Sequence, residues 1–153
     1  TVYFDRLFPM GVSAMIEAAD LVVAGKHREI TQDESQASYE GWFKAAEARV
    51  HWANHVDWIH NLIRGADPAP GAWTTHGGKT LQLFGSKKHL VRTFGAVKGK
   101  LGEITEIGTE SMRVTAQGGQ VEIAKVKAEG GKKASAAEWA KAEGVAPGTI
   151  LGS

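Results

Sequence analysis

Histidine is the first side chain to test for chemistry. His51 and His55 stand four residues apart, and His60 follows five later. Two histidines at that spacing on one helix face can hold zinc. Asn54 lies between them, however, and Asn is a preferred helix cap, so the pair is expected to straddle a helix start rather than share a helix. There is no HExxH, and Asp57 is the only carboxylate close by. The chain has no cysteine, which excludes a disulfide, a thiolate metal site, a Cys nucleophile and a redox pair. GGKT at 77–80 resembles the end of a phosphate-binding loop. That loop would need a glycine at position 73, where Trp73 stands, and an apolar strand before it. Neither GxGxxG nor GxSxG occurs. Asp33 and Glu34 fall in a polar stretch, and Glu103, Glu106 and Glu110 fall in alternating strands expected to face water. No catalytic residue and no metal site are expected.

The basic side chains say more. Net charge is +1 over 153 residues. Residues 1–67 carry ten acids against six Lys/Arg, net −4, and residues 103–153 carry seven acids against six bases, net −1. Between them, residues 68–102 contain no acid and six bases: Lys79, Lys87, Lys88, Arg92, Lys98 and Lys100. An acid-free basic window points toward a polyanion such as RNA, although six charges are few for a nucleic-acid footprint. Lys87, Lys88, Arg92, Lys98 and Lys100 are the binding residues it offers. The five tryptophans (42, 52, 58, 73 and 139) lack interleaved bases and read as packing anchors, not stacking platforms.

The elements that would position these groups form two unlike parts. Residues 1–51 read as a helical arm and linker. Val2, Leu7, Met15, Ile16, Ala19, Leu21 and Val22 recur at helical spacing, Pro9 breaks the run or opens its second helix, and Gly25-Lys26 stops it. HREITQDESQASYEG at 27–41 reads as a connecting loop. Residues 52–153 open with a helix around 54–64, with Asn54 as N-cap, Asp57 at N3, Val56, Ile59 and Ile63 on one stripe, and Gly65 just past its end. Short β-prone runs follow: LQLF at 81–84, ITEI at 104–107, MRVTA at 112–116 and VEIAKVKA at 121–128. Gly118-Gly119 is a hairpin signal. Ser135 and Glu138 have capping-box spacing before a last helix that Gly144 stops. The fold class expected is α+β, mainly β: a helical arm, then a small five- or six-stranded OB-like barrel with a terminal helix, its Gly-dense strands strongly curved.

One stretch carries a resemblance. Ile63-Arg64-Gly65, Pro68, Pro70, Gly71, Ala72, Trp73 and Thr74, read as IRGADPAPGAWT, resemble the opening of the C-terminal domain in the formyltetrahydrofolate-dependent formyltransferase family. That family includes methionyl-tRNA formyltransferase and the hydrolase domain of formyltetrahydrofolate dehydrogenase. Ala69, where the tRNA enzymes tend to carry an aromatic, is more similar to the dehydrogenase. TVYFDRLFPMGVSAMIEAADLVVAGK resembles the helix following the family's catalytic domain, QDESQASYEG its linker, and GGKKASAAEWAKAEGVAPGTILGS its closing helix and tail.

The resemblance implies a division of labour. The family's folate pocket and catalytic Asn, His and Asp lie in an N-terminal Rossmann-like domain, and nothing here matches its His-x-Ser-Leu-Leu-Pro motif. The chain is therefore expected to be the C-terminal portion of such an enzyme, inactive alone and binding no cofactor itself, with formyltetrahydrofolate the cofactor of the parent. Its opening at Thr1 inside a helical run fits a piece of something longer, and TVYFDRLFPMGV lacks the basic start of a secretory leader. Arg64, Pro68, Pro70 and Trp73 are the expected domain-junction residues. The expected partner is the N-terminal catalytic domain, with tRNA as the alternative and oligomerisation through Tyr3, Phe4, Leu7 and Phe8 of the arm a third outcome. No apolar stretch is long enough to cross a membrane, and a cytoplasmic location is expected.

Overall fold

The computed structural model describes residues 2–93 and 95–152. The chain divides into two compact units, Thr1–Glu40 and Gly41–Ser153. The first is helical. A π-helical segment, Tyr3–Leu7, leads directly into α1, Phe8–Val23. Pro9 stands in the first turn of α1, so it opens the second helical segment, as expected, without interrupting the run. Its ring would clash with the carbonyl four residues back, and the turns just ahead of it take the wider spacing, with the Phe8 N–H donating to Tyr3 O. The expected stop is found: Gly25 has φ +65°, its N–H donates to Val22 O, and the Lys26 N–H donates to Leu21 O. Residues 27–40 are irregular apart from a 3-10 turn at Glu34–Gln36.

In the second unit a 3-10 turn, Ala45–Ala48, precedes α2, Val56–Ala66. The strands are β1 (Ala72–His76), β2 (Lys79–Leu90), β3 (Ile104–Ile107), β4 (Met112–Ala116), β5 (Gly119–Ala128) and β6 (Ala134–Ser135), followed by α3 (Ala136–Ala142). The sheet is antiparallel in the order β1-β2-β5-β4-β3, with β6 pairing β5. GGKT therefore lies at a hairpin turn and the start of a strand, not in a phosphate loop. Gly118 has φ +77° in the β4–β5 turn, and the Ser135–Glu138 capping box is made in both directions, each bond 3.1 Å.

Two caps differ from expectation. His55, not Asn54, is the N-cap of α2, its Nδ1 accepting from the Asp57 N–H at 3.3 Å. A residue with a suitable acceptor one position later takes the cap, so Asp57 sits at N2 rather than N3. Gly65 lies inside the helix, which continues to Ala66.

The core is built by α2 on the long β2–β5 ribbon. Val56, Ile59, Ile63 and Ala66 form the buried stripe of α2 and belong to one cluster with Leu81, Leu83, Val121, Ile123, Val126, Met112 and Val114. The β2–β5 ladder skips the level of Gly85 and Ala124. Above it Leu83 and its partner Val126 are buried, and below it Ile123 and Val121 are buried opposite Ser86 and Lys88. The spacing of buried positions changes there, where Gly85 has φ +59°, and the ribbon bends around the core.

The expected closed barrel is not formed. The strand path ends at β1 and β3, which share no pairing. Residues 148–152 lie along this seam, with the Ile104 N–H donating to Thr149 O, the Leu151 N–H to Gly102 O and the Gly152 N–H to Thr75 O, at 2.8–2.9 Å. Frequent glycines signal curvature, but β3, only four residues long, offers little edge for closure. Trp52 fills the seam, buried, its Nε1 donating to Thr74 Oγ1 at 3.0 Å.

Gly102 and Ile59 provide tests. Gly102 has φ +82°, and a Cβ there would meet Leu151 O at 2.6 Å and the Trp52 ring at 3.1 Å. Gly102→Ala should cost about 3 kcal/mol in urea unfolding, against about 1 kcal/mol for Gly130→Ala, where φ is +70° but the space is open. Ile59→Ala should cost about 2–5 kcal/mol.

Candidate functional site

The basic window is acid-free in sequence but not in space. Lys88 Nζ lies 2.5 Å from Asp57 Oδ1, an acid that α2 contributes from outside the window. The hydrogen bond from Lys88 holds the Asp57 carboxyl below the usual range. Lys87 stands opposite Glu122 in the β2–β5 register. The Lys100 backbone N–H donates to Glu103 at 2.7 Å, and the Lys98 carbonyl accepts from Thr115 Oγ1 at 2.6 Å. Among the described residues, the side chains of Lys87, Arg92, Lys98 and Lys100 are exposed and have no ion pair. Lys87 and Lys88 are thus on β2, while Arg92, Lys98 and Lys100 are on the connection to β3. The window reading missed Lys125 and Lys127 on β5, which pair across to Phe84 and Gln82. It also missed Lys133, whose Nζ sits 3.5 Å above the Phe84 ring. Alternation in KVK at 125–127 was the available signal.

His55 and His60 have structural roles, whereas His51 is exposed ahead of α2. His55 caps α2, and His60 Nδ1 is 2.9 Å from Ser86 Oγ, tying α2 to β2. Burial, then the nearby Arg64 and Lys88 charges, push the His60 imidazole below its usual range. Among the described residues no three His, Asp or Glu side chains converge as a metal site would require. The densest polar cluster lies across β2, β5 and β4. His89 Nε2 is 2.6 Å from Glu122 Oε2, Ser111 Oγ donates to Glu122 Oε1 at 3.1 Å, and Arg113 bridges to Glu106 at 2.8 Å. The His89 hydrogen bond, with help from Ser111 and Arg113, holds the Glu122 carboxyl below its usual value. Ser111 and His89 bind the same carboxylate rather than each other, so the cluster does not activate a nucleophile.

The IRGADPAPGAWT stretch joins elements. Arg64 is exposed beside Asn61, at 3.5 Å. The bonds before Pro68 and Pro70 are both cis rather than extended trans steps. Pro70 O accepts from Gln82 Nε2 at 2.9 Å, and the Gly71 N–H donates to Ala66 O. Trp73 Nε1 donates to Ala45 O at 2.6 Å, and the Arg49 guanidinium lies 5.4 Å from the Trp73 ring. Pro68, Pro70 and Trp73 thereby fix the turn from α2 into β1 and hold the segment entering the second unit.

The first unit shows a different surface. Every described residue of the π segment and α1 is exposed, including Phe4, Leu7, Phe8, Met10, Met15 and Ile16. Arg6, Ser13, Glu17 and Asp20 share one side of the helix, and most of the remaining circumference is apolar. A groove of about 500 Å³ runs along it, lined by Tyr3, Leu7, Phe8, Val12, Met15 and Ile16. No helix among the described residues is long and apolar enough to cross a membrane. The tryptophans do not behave alike. Trp52 and Trp139 are buried, whereas Trp42 and Trp58 are 88% and 74% exposed, so neither of the latter is a core anchor.

Residues 43–144 match the family described as formyl transferase, C-terminal domain. Methionyl-tRNA formyltransferase of Moorella thermoacetica (strain ATCC 39073 / JCM 9320) is 31% identical over 148 residues, covering 97% of this chain and 46% of that protein. Human mitochondrial 10-formyltetrahydrofolate dehydrogenase is 44% identical over 85 residues, covering 56% of this chain and 9% of that one. The chain therefore spans less than half of these relatives. HypX from Aquifex aeolicus, solved as a multiply substituted variant, has the same fold, with TM-score 0.69, 21% identity and coverage of 94% of this chain and 26% of its own. HypX has also been solved in complex with tetrahydrofolic acid, with TM-score 0.64 over 84% of this chain and 22% of its own.

The Glu122 cluster gives a pH test. A carboxyl held low in the folded state contributes stability that is complete above its ordinary value of 4.5 and is lost as pH falls through the depressed one. Glu122→Gln should flatten the acid limb of a stability-versus-pH curve measured by urea unfolding. An unchanged limb would show that the cluster is not coupled to folding.

Proposed function

Because the chain belongs to the formyl transferase C-terminal domain family, we propose that it is the accessory C-terminal portion of a formyltetrahydrofolate-dependent formyltransferase or hydrolase. A catalytic half on the same enzyme moves the formyl group to an amine or to water. In this reading residues 1–51 join the halves and residues 52–153 form the accessory domain. In this reading formyltetrahydrofolate is the cofactor of the catalytic half.

The observation that carries the reading is the arm. An exposed helix that is apolar around most of its circumference is stable when other protein covers it. The match covers only 46% of the Moorella thermoacetica relative, which leaves room in such an enzyme for a second half over the arm. Arg64, Pro68, Pro70 and Trp73 are then the domain-junction residues, with Trp73 holding the segment around Ala45 at the start of the accessory domain. The isolated chain should not turn over formyltetrahydrofolate and should self-associate through the arm at high concentration. It should bind the catalytic half, and Phe8→Ser with Met15→Ser should weaken that binding at least tenfold in calorimetry. No binding in either form would remove the proposal.

A second reading makes the unpaired Lys87, Arg92, Lys98 and Lys100 a tRNA contact. The motivating observation is their exposure without acidic partners on one strand and its following loop. Affinity for tRNA should fall steeply between 50 and 200 mM salt, by about 10²-fold for a footprint of about four phosphates. Lys98→Ser with Lys100→Ser should reduce that slope. Salt-insensitive binding removes this reading and leaves the first intact.

A further inference from the structure

One groove of the second unit takes no part in anything described above. The chain passes β1 just before α2, with the Val50 N–H donating to Trp73 O at 2.7 Å. Burial alternates along this stretch: Val50 and Trp52 are buried, so Arg49, His51 and Ala53 stand outward. Leu101 and Ile150 belong to the seam, and they are 47% and 40% exposed. A groove of about 340 Å³ runs between the two stretches, its lining including Arg49, His51, Trp52, Leu101, Ile150 and Gly152. Hydrogen bonds fix its walls. The Leu151 N–H donates to Gly102 O, the Gly152 N–H to Thr75 O, and the Trp52 indole to Thr74 Oγ1. A Cβ on Gly152 would come within 3.0 Å of the Trp52 ring and one on Gly102 within 3.1 Å, so the two glycines let the seam close on that ring.

The lining is mixed in a way that selects a ligand. It holds two basic side chains and no acid. Of the acids close by in sequence, Glu47 is bonded to the Lys44 N–H and Glu103 to the Lys100 N–H. Arg49 and His51 have no ion pair among the described residues, and the Arg49 guanidinium is steadied by the Trp73 ring 5.4 Å away. A wholly apolar ligand would strip water from that guanidinium and return nothing to it. A bare inorganic anion would leave Leu101 and Ile150 in water. A polyanion needs a longer row of cations than two. An anion with an apolar body satisfies both parts, because a carboxylate matches the Arg49 fork with two parallel hydrogen bonds and the His51 ring can donate another. The volume is at the small end of the range of about 300–1,000 Å³ for small-molecule sites.

We propose that this groove is a binding site for a small organic acid with an apolar body, an aryl or short alkyl carboxylate. Arg49 holds the carboxylate, and Leu101 and Ile150 cover the hydrocarbon. The site needs neither a catalytic half nor a nucleic acid, so it stands or falls apart from both readings of function above.

Three probes separate the parts of the claim: benzoate, benzyl alcohol (the ring without the charge) and acetate (the charge without the ring). Each is titrated into the 153-residue chain and into the full gene product while backbone amide shifts are followed by NMR. Benzoate should give saturable shifts at His51, Trp52, Leu101 and Leu151 in both, and the other two probes should bind about tenfold more weakly or worse. Arg49→Gln and Leu101→Ser, both at exposed positions, should each weaken benzoate about tenfold while leaving the urea midpoint unchanged. An equal response to benzyl alcohol makes the groove merely apolar, and an equal response to acetate makes it an adventitious anion contact only; either overturns the proposal. So does the absence of a saturable response to benzoate, or a response confined to the α1 groove. A response in the 153-residue chain that vanishes in the full gene product assigns the groove to a contact between halves and overturns it as well.

Discussion

The second unit depends on one seating. The apolar stripe of α2, Val56-Ile59-Ile63-Ala66, must find a surface, and only the bent β2–β5 ribbon supplies one. Because that ribbon bends at the level of Gly85, the helix meets buried side chains from both parts of it. His60 on Ser86 and Asp57 on Lys88 then fix the register of the helix along the strand. From the far end of α2 the proline-rich turn leads into β1, and Trp73 returns a hydrogen bond to the segment before the helix. Displacing α2 would therefore unfasten the sheet's first hairpin and the entering chain together.

Charge shows how folding rewrites a linear pattern. Residues 68–102 have no acid of their own, but the fold places Asp57 against Lys88 and Glu122 across from Lys87, and closes the Glu103 carboxylate on the Lys100 backbone. These acids come from α2, β5 and the approach to β3. What looked like a continuous basic strip holds one ion pair, Lys88–Asp57, and five bases that form none among the described residues: Lys79, Lys87, Arg92, Lys98 and Lys100.

Much of the fold could be read in advance because its signals are local. The Gly25 stop, the Ser135–Glu138 cap, the Gly118 hairpin and the four β-prone runs each depend on neighbours within a few residues. The IRGADPAPGAWT stretch located the turn from helix to sheet and pointed to the family. Non-local geometry was hidden. Sheet closure depended on whether β1 and β3 would meet, and no local pattern encodes that distance. The exposure of Trp42 and Trp58 was equally invisible, because a tryptophan near a helix looks the same in sequence whether it packs inward or outward. The N-cap moved by one residue because Asn54 and His55 both carry a suitable acceptor.

The seam between β1 and β3 has a kinetic side. Its hydrogen bonds come from residues 148–152, so the two outer strands are joined by a segment far along the chain from β1. Contacts of such long sequence separation form late, because their loop-closure entropy must be met before they contribute. On a ribosome, Trp52 and β1 would emerge well before the residues that complete their surroundings. The nascent domain would therefore pass through an interval in which its first hairpin stands open along one side.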